Sequence, residues 1–591
     1  MREAFSANGT EKQTDWNAVN WRKANRCVRN LRQRIFRAAQ EGNLKKVRSL
    51  QKLMLKSYSN RLVSVRRVAQ INAGKNTPGV DKLVIKTPAT RGKMVDALAH
   101  YSLWKAKPVR RVYIPKANNR HRPLGIPVML DRCLQAMVKN ALEPAWEARF
   151  EGTSYGFRPG RSGHDAIGKI YLLARPNKTK KWVLDADIKG AFDNISHEYL
   201  LKAIGPVPGK ELIKQWLKAG YVEQEMFHAT EQGTPQGGVV SPLLANIALH
   251  GMEEVLGVKY NSQGQIAGNR AIVRYADDFV CFCETREDAE QVQRILAEWL
   301  NERGLTLSAE KTRIVHLTEG FNFLGYNIRH YAAPQTSRSG WKLLIKPSKE
   351  AVQELRQKLK DLWQKAQGTN VQSVLAKFNP VIRGWANYYR IVVAKELFSS
   401  LDSWMVHKAI RYTKRLHPNK PTDWRRRKYW GQFNLDRLDS WTFGDKQTGG
   451  YLLKFDWFPI ERHVLVKGTS SPDNPCLKDY WEKRRAAQAK DLTFSKQKLA
   501  KRQQGRCPEC GESLFNEEEL QVHHLLARSK GGKGMYSNLA LVHLLCHQHI
   551  HAVTQRAMSD CQQDNDRELL TEESEIVRRS TQKEKKESCG T

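Results

Sequence analysis

The stretch "RYADDFVCF", Arg274 to Phe282, places two adjacent aspartates in the middle of an apolar, β-branched and aromatic run. Val273, Tyr275, Phe279, Val280 and Phe282 favour extended backbone, and the polar pair interrupts the run. The pattern predicts two strands joined by a tight turn, with Asp277 and Asp278 at the tip. Like charges that close repel unless a cation neutralises them, and hard carboxylate oxygens suit Mg²⁺. An ordinary Asp-containing hairpin turn satisfies the same local pattern. The rest of the chain has to decide between them.

A chain of 591 residues has room for about three or four domains, each with its own core. Lys and Arg number 99 against 60 Asp and Glu, a formal net charge of +39. So large an excess points to a long polyanion as partner. Sixteen Trp and 18 Tyr add flat surfaces for stacking on bases, although packing in cores also uses them. There is no run of about eighteen apolar residues, so a membrane span is not expected. The start, "MREAFSANGTEKQTDW", lacks the apolar core of a secretory signal, and no transit peptide is seen. Ten Cys without a regular framework, including one "CPEC" pair, fit a reducing compartment and a metal site better than disulfides. Composition therefore describes a soluble, multidomain nucleic-acid protein.

Residues from about Trp16 to Val68 alternate Arg and Lys with Val, Leu, Ile and Phe at helical spacing, and Gly42 divides them into two basic amphipathic helices. Their charged face is either solvated or laid along phosphates. "KNTPGVD" (Lys75 to Asp81) is a Pro-Gly turn loop, followed by a strand, a basic loop and a helix in "VRRVYIPKANNRHRPLGIPVMLDRCLQAMV". Mixed strand and helix continue to about Pro347. From about Lys349 to Lys428 the pattern is helical, with basic residues interleaved among Trp and Tyr, and an irregular stretch opens at "DWRRRKYW". A compact Cys/His segment occupies about Gln504 to Val553, and the polar tail after Met558 reads as disordered.

A second acidic strand, "KWVLDADIKGAFDNISH" (Lys181 to His197), precedes the first. Strand alternation puts Asp185 and Asp187 on one face, with Val183 and Ile188 turned toward packing. Joining a 3′-hydroxyl to an incoming triphosphate uses two Mg²⁺ ions about 4 Å apart, and a strand aspartate with a hairpin-tip pair supplies suitable ligands. Between them lies "GTPQGGVVSPLLANIAL" (Gly233 to Leu249), a Gly-rich loop entering an apolar helix, where backbone can approach a nucleotide or template.

Eight stretches in this order resemble the reverse transcriptases encoded by group II introns: "KNTPGVD", "IPKANNRHRPLGIP", "SYGFRPGRS", "DADIKGAFDNISH", "TPQGGVVSPLLANI", "RYADDFV", "GLTLSAEKT" and "FNFLGY". The resemblance runs from about residue 16 to about 555 and implies a multidomain α+β right-hand polymerase with an α-helical thumb. It implies that Asp187, Asp277 and Asp278 hold the two Mg²⁺ ions. Lys116 and Arg122, with Arg110, would hold the dNTP phosphates through charge-assisted hydrogen bonds. Phe192, five residues after Asp187, would exclude a ribose 2′-hydroxyl; a core aromatic is the plainer alternative. Gln236 and Gly237 would lie beside nucleotide and template, and Lys311 near the primer end or simply on a basic surface. "NPVIRGWANYYR" (Asn379 to Arg390) resembles the thumb segment the family uses to bind intron RNA. There Arg383 and Arg390 are the RNA-contact candidates, while Trp385 and Tyr389 equally suit a helix seam.

Cys507 and Cys510 form a knuckle with two residues between them, and His543 and Cys546 repeat that gap, as a tetrahedral zinc site requires. The segment resembles an H-N-H nuclease of ββα-metal type, with His524 as general base and Asn538 as orienter. In that resemblance His523, His547 and His551 surround one divalent metal. A zinc ribbon without nuclease activity is the alternative. His543 stands where many relatives have Cys, and His549 is a competing candidate ligand.

The expected organisation is an N-terminal basic helical extension (1–68), reverse transcriptase fingers and palm (69–348), and a thumb or maturase X domain (349–422). A DNA-binding region (423–503), an H-N-H endonuclease (504–556) and a disordered tail (557–591) follow. Expected partners are group II intron RNA, target DNA and dNTPs, with no membrane and one protein per intron RNA. The expected setting is the bacterial cytoplasm, at the nucleoid during insertion, with an organelle as the alternative. The rival functions are an RNA-binding splicing cofactor that does not polymerise, and a domesticated reverse transcriptase without an intron.

Overall fold

The computed structural model describes residues 13–115, 121–234, 236–334, 340–434, 437–516 and 518–555. The chain forms two compact units, one of residues 1–149, 195–247 and 471–591 and the other of 150–194 and 248–470. The expected tail, 557–591, lies outside the described residues.

In the first unit, three N-terminal helices span Trp21–Gln40, Leu44–Lys56 and Tyr58–Arg66. Asn20, Asn43 and Ser57 cap them by accepting backbone N–H hydrogen bonds, as side chains of these types do at helix starts. Gly42, at φ +69°, makes the predicted break after the first. Trp21, Ala24, Val28, Ile35 and Phe36 form the buried stripe of the first helix. All three helices pack on the long helix Met129–Glu147.

Residues Val109–Pro115 and His121–Ile126 form an antiparallel hairpin, so the stretch expected to be a strand and a basic loop contains a second strand. Its alternation is hidden by Arg, Pro and Gly, which carry little strand signal. Tyr221–Glu223 adds in parallel and Met226–His228 closes the sheet. The unit ends in the helices Lys478–Gln488 and Phe494–Arg502 and the antiparallel pair Leu520–His524 with Leu539–His543. Residues 544–555 are helical.

The second unit is built on a four-stranded sheet in the order Ala271–Tyr275, Asp278–Cys283, Trp182–Asp187, Arg313–His316. Helix Arg286–Asn301 packs on the two central strands, and helix Gly163–Leu173 packs against the edge strand Ala271–Tyr275. Val183, Leu184, Ala186 and Ile188 are all buried, so both faces of the Trp182–Asp187 strand are covered, and Trp182, Asp185 and Asp187 keep partial access. One apolar core continues from Val183, Val280 and Phe282 through Phe321 and Tyr326 to Trp363, Phe378, Phe398 and Phe455. It thereby joins the sheet to the helices Lys349–Lys365, Val371–Tyr389 and Lys395–Leu416.

The stretch 423–503, expected as one DNA-binding region, is divided between the units at residue 470. Its first part holds a small three-stranded sheet, Trp430–Gly431, Thr442–Asp445 and Gly450–Tyr451. No helix among the described residues is long and apolar enough to cross a membrane.

Candidate active sites

The two strands read from "RYADDFVCF" are present, and the register pairs Tyr275 with Asp278. The two turn residues are therefore Ala276 and Asp277, and Asp278 opens the second strand rather than sharing the tip. Ala276 takes the left-handed conformation, φ +59°, that a two-residue hairpin loop demands. On the other side, Asp187 is paired with Asp278, so strand pairing itself brings the third carboxylate to the hairpin.

The two strand aspartates differ in their company. Asp185 accepts a hydrogen bond from Arg313 Nε at 3.0 Å. Asp187 is ion-paired with the Lys311 ammonium, while its backbone carbonyl accepts from Ser308 N–H at 2.8 Å. Lys311 is held above the usual lysine range by that bond to Asp187. Asp278 is exposed as a residue, yet its carboxyl loses part of its hydration to the surrounding protein. Its carboxyl is pushed up to about 7, first by loss of hydration and then by the charges of Asp277 and Asp187. One carboxyl whose ionisation two neighbouring carboxylates oppose, with an ammonium already among them, makes a donor set suited to hard divalent cations.

Sequence reasoning missed the residues that support the hairpin. Arg274 is 2% exposed and donates from Nη1 to the Ala276 carbonyl at 3.1 Å, bracing the turn from beneath. The segment Thr153–Tyr155 runs alongside, with Arg274 N–H donating to Thr153 O at 3.0 Å and Tyr155 N–H to Arg274 O at 2.9 Å. A Cβ on Gly156 would sit 2.3 Å from the Ala276 nitrogen, which explains the glycine in "SYGFRPG". Phe192 is half-buried and meets the neighbouring Phe157 edge-on at 6.2 Å between ring centres.

Arg110, Arg122, Gln236 and Gly237 all belong to the first unit. Arg122 is paired with Ile114, two alternations from Arg110, so both arginines project from one face of the hairpin. Gly125 N–H donates to the Gln236 carbonyl at 2.7 Å. Gly237, at φ +120°, leaves no room for a Cβ, which would stand 2.8 Å from Gly125 O. Lys116 lies outside the described residues. In the second unit, Trp385 and Tyr389 belong to the helix seam, 4.4 Å apart and packed with Phe398 and Phe455. Arg390 is committed to Glu461, whereas Arg383 is exposed.

The C-terminal segment assembles both predicted clusters. Cys507, Cys510, His543 and Cys546 are buried with all four donor atoms within 4.8 Å of one another, and so are the imidazole donors of His523, His547 and His551, which are more open. Three thiols and an imidazole around one point are the donor chemistry of zinc. His523 and His547 are depressed by burial and by mutual repulsion with His551, which keeps their imidazoles neutral and able to ligate. His549 belongs to neither cluster, and its Nδ1 is bonded to Glu509 Oε1 at 2.9 Å. His524 Nε2 accepts from Arg528 Nε at 3.2 Å. Asn538 orients the loop after the first strand, accepting from Leu526 N–H at 2.7 Å and donating to Leu526 O at 3.0 Å and Lys533 O at 2.9 Å.

Four family models match the chain: N-terminal domain of reverse transcriptase at residues 16–98, reverse transcriptase (RNA-dependent DNA polymerase) at 114–328, group II intron maturase-specific domain at 352–430, and HNH endonuclease at 507–552. The chain is 34% identical over 308 residues to Protein YkfC of Escherichia coli (strain K12), covering 45% of this chain and 80% of that protein. It is 34% identical over 295 residues to the Group II intron-encoded protein LtrA of Lactococcus lactis subsp. cremoris, covering 40% of this chain and 49% of LtrA. The chain belongs to the group II intron-encoded proteins. It joins a reverse transcriptase, a maturase segment and an HNH endonuclease in one multidomain α+β chain. The chain spans about half the length of LtrA.

The crowding at the hairpin predicts a pH signature. The folded value of Asp278, about 7, lies above the ~3.9 of an unfolded aspartate. Between those limits the folded chain binds the extra proton, so this group removes stability as pH rises through the window. In metal-free buffer Asp278→Asn is expected to flatten that slope and to unfold at a higher temperature than the parent protein at pH 8. Identical pH dependence of thermal unfolding in the two proteins would contradict the crowding.

Proposed function

We propose that this chain is the polymerase, maturase and target-nicking nuclease of one group II intron, and that Asp187, Asp277 and Asp278 are its polymerisation site. The carrying observation is the pairing of Asp187 with Asp278 beside the Asp277 turn, with a lysine ammonium on Asp187. Two Mg²⁺ ions on these carboxylates would lower the pKa of the primer 3′-hydroxyl and neutralise the triphosphate. Lys311 would release Asp187 on metal binding and turn its ammonium to the primer strand. Arg110 and Arg122, on one hairpin face, with Lys116 following that strand, would grip the dNTP phosphates. Phe192, seated against Phe157, would close the space beside the sugar C2′. Gln236 and Gly237 would bring bare backbone up to the templating base pair.

For splicing, intron RNA would be held chiefly by phosphate contacts, which the +39 charge supports. The exposed Arg383 lies within the maturase-specific match and is a candidate contact. In the C-terminal segment the four buried ligands would take structural zinc. His523, His547 and His551 would hold one divalent ion, which stabilises charge on the scissile phosphate. His524 Nε2 is engaged by Arg528 Nε, and to act as general base it would exchange that hydrogen bond for one from the attacking water. Asn538 would keep the loop beside it in register. The retained carboxylates speak against a splicing cofactor that never polymerises, because a binder gains nothing from ligands that repel. One protein per intron RNA in a bacterial cytoplasm, at the nucleoid during insertion, completes the proposal.

Replacing both Asp277 and Asp278 by Ala is expected to reduce primer extension on an RNA template to background while intron RNA binding stays within a few-fold of the parent protein. Extension near the parent rate would remove the assignment. For the nuclease, His524→Ala is expected to abolish nicking of target DNA with zinc content and thermal unfolding unchanged. Nicking at the parent rate would exclude His524 as the base.

A further inference from the structure

The zinc reading leaves one buried cation unexplained. Arg66, the last residue of helix Tyr58–Arg66, comes from the N-terminal domain, 480 residues from the cluster it touches. It is 6% exposed, its Nη2 donates to Cys546 Sγ at 3.1 Å, and the same nitrogen lies 3.8 Å from the Glu518 carboxylate. The guanidinium plane is covered by the Trp21 ring, 4.5 Å from its centre. Further contacts run the same way along the first helix. Arg22 Nη2 donates to the Pro508 carbonyl at 3.0 Å, Asn25 Nδ2 to the Cys510 carbonyl at 3.4 Å, and Arg29 pairs with Glu512. Each acceptor lies in the knuckle that carries Cys507 and Cys510.

The charge arithmetic gives this contact a purpose. A zinc ion held by three thiolates and a neutral imidazole carries one net negative charge, and Glu518 adds a second beside it. Two buried anions that close are costly unless a cation stands between them. Arg66 occupies that place, with its other face sealed by Trp21.

Resting on the zinc reading, we infer that Arg66 is an outer-shell partner of the zinc centre, which makes the metal site a joint between the N-terminal reverse transcriptase domain and the nuclease segment. Zinc loading is then linked to the order of helices that serve the polymerase, not only to the folding of the segment that supplies the ligands. Arg66 touches sulfur and not substrate, so it is a positioning residue.

The test uses the full-length protein and zinc alone. Zinc affinity is measured by competition with a chromophoric chelator for the parent, Arg66→Met, Arg66→Lys and Cys507→Ala. In parallel, hydrogen exchange of residues 21–29 and 58–66 is compared in zinc-loaded and zinc-stripped parent protein. Arg66→Met is expected to weaken zinc binding by about 10–100-fold, Arg66→Lys to recover part of it, and stripping zinc to accelerate exchange in both N-terminal stretches. If Cys507→Ala loses zinc while Arg66→Met binds as tightly as the parent, the zinc reading stands and the joint is wrong. If the parent itself takes up no zinc, both fall. Should Arg66→Met fail to fold, the exchange comparison decides alone: unchanged protection on stripping overturns the inference.

Discussion

Asp187 faces Asp278 across two antiparallel strands, and much of the second unit serves to hold that repulsive pair in place. Carboxylates so placed would separate if the backbone could yield. It cannot, because the strands run through the middle of a four-stranded sheet covered by helices and continuous with the core of the helices between residues 349 and 416. Arg274 braces the turn carbonyl from below and Gly156 lets a second segment lie directly on it. Burial of apolar surface elsewhere therefore offsets a local electrostatic cost, and a cation bound from solution recovers it. The same logic recurs in the C-terminal segment, where four buried candidate ligands and three more open histidines are brought together by the Cys507–Cys510 turn, one strand pair and the helix that follows.

These two centres differ in how they keep their ligands. Asp187, Asp277 and Asp278 sit at strand ends and the turn between strands, open to solvent, and a lysine is the only counter-charge the structure gives Asp187 among its described ion pairs. The cysteine cluster is closed, buried and backed by an arginine, as suits a site meant to hold its metal permanently. The chain thus carries one open and one closed donor set.

What could be read from the sequence follows from the range of the interaction. The hairpin was legible because β-branched and aromatic residues flank the aspartates within nine positions, and the knuckles because ligand spacing is local. Which residues occupy the turn was not legible: spacing alone does not fix register, and the structure places Ala276 at the tip instead of Asp278. The strand His121–Ile126 was missed because Arg, Pro and Gly mask its alternation. Contacts that cross from 40 to 480 residues left no signal at all. Arg66 with Cys546, Arg390 with Glu461 and Glu509 with His549 look like ordinary surface charges until the fold brings them together.

Iron-directed cleavage tests the central placement most directly. Fe²⁺ bound in place of Mg²⁺ and driven by ascorbate and peroxide cuts the backbone nearest its ligands. Cuts are expected at residues 187, 277–278 and 308–311, suppressed by excess Mg²⁺ and lost from Asp187→Asn. Cleavage that ignores all three strand ends, or that persists unchanged without the Asp187 carboxylate, would contradict it.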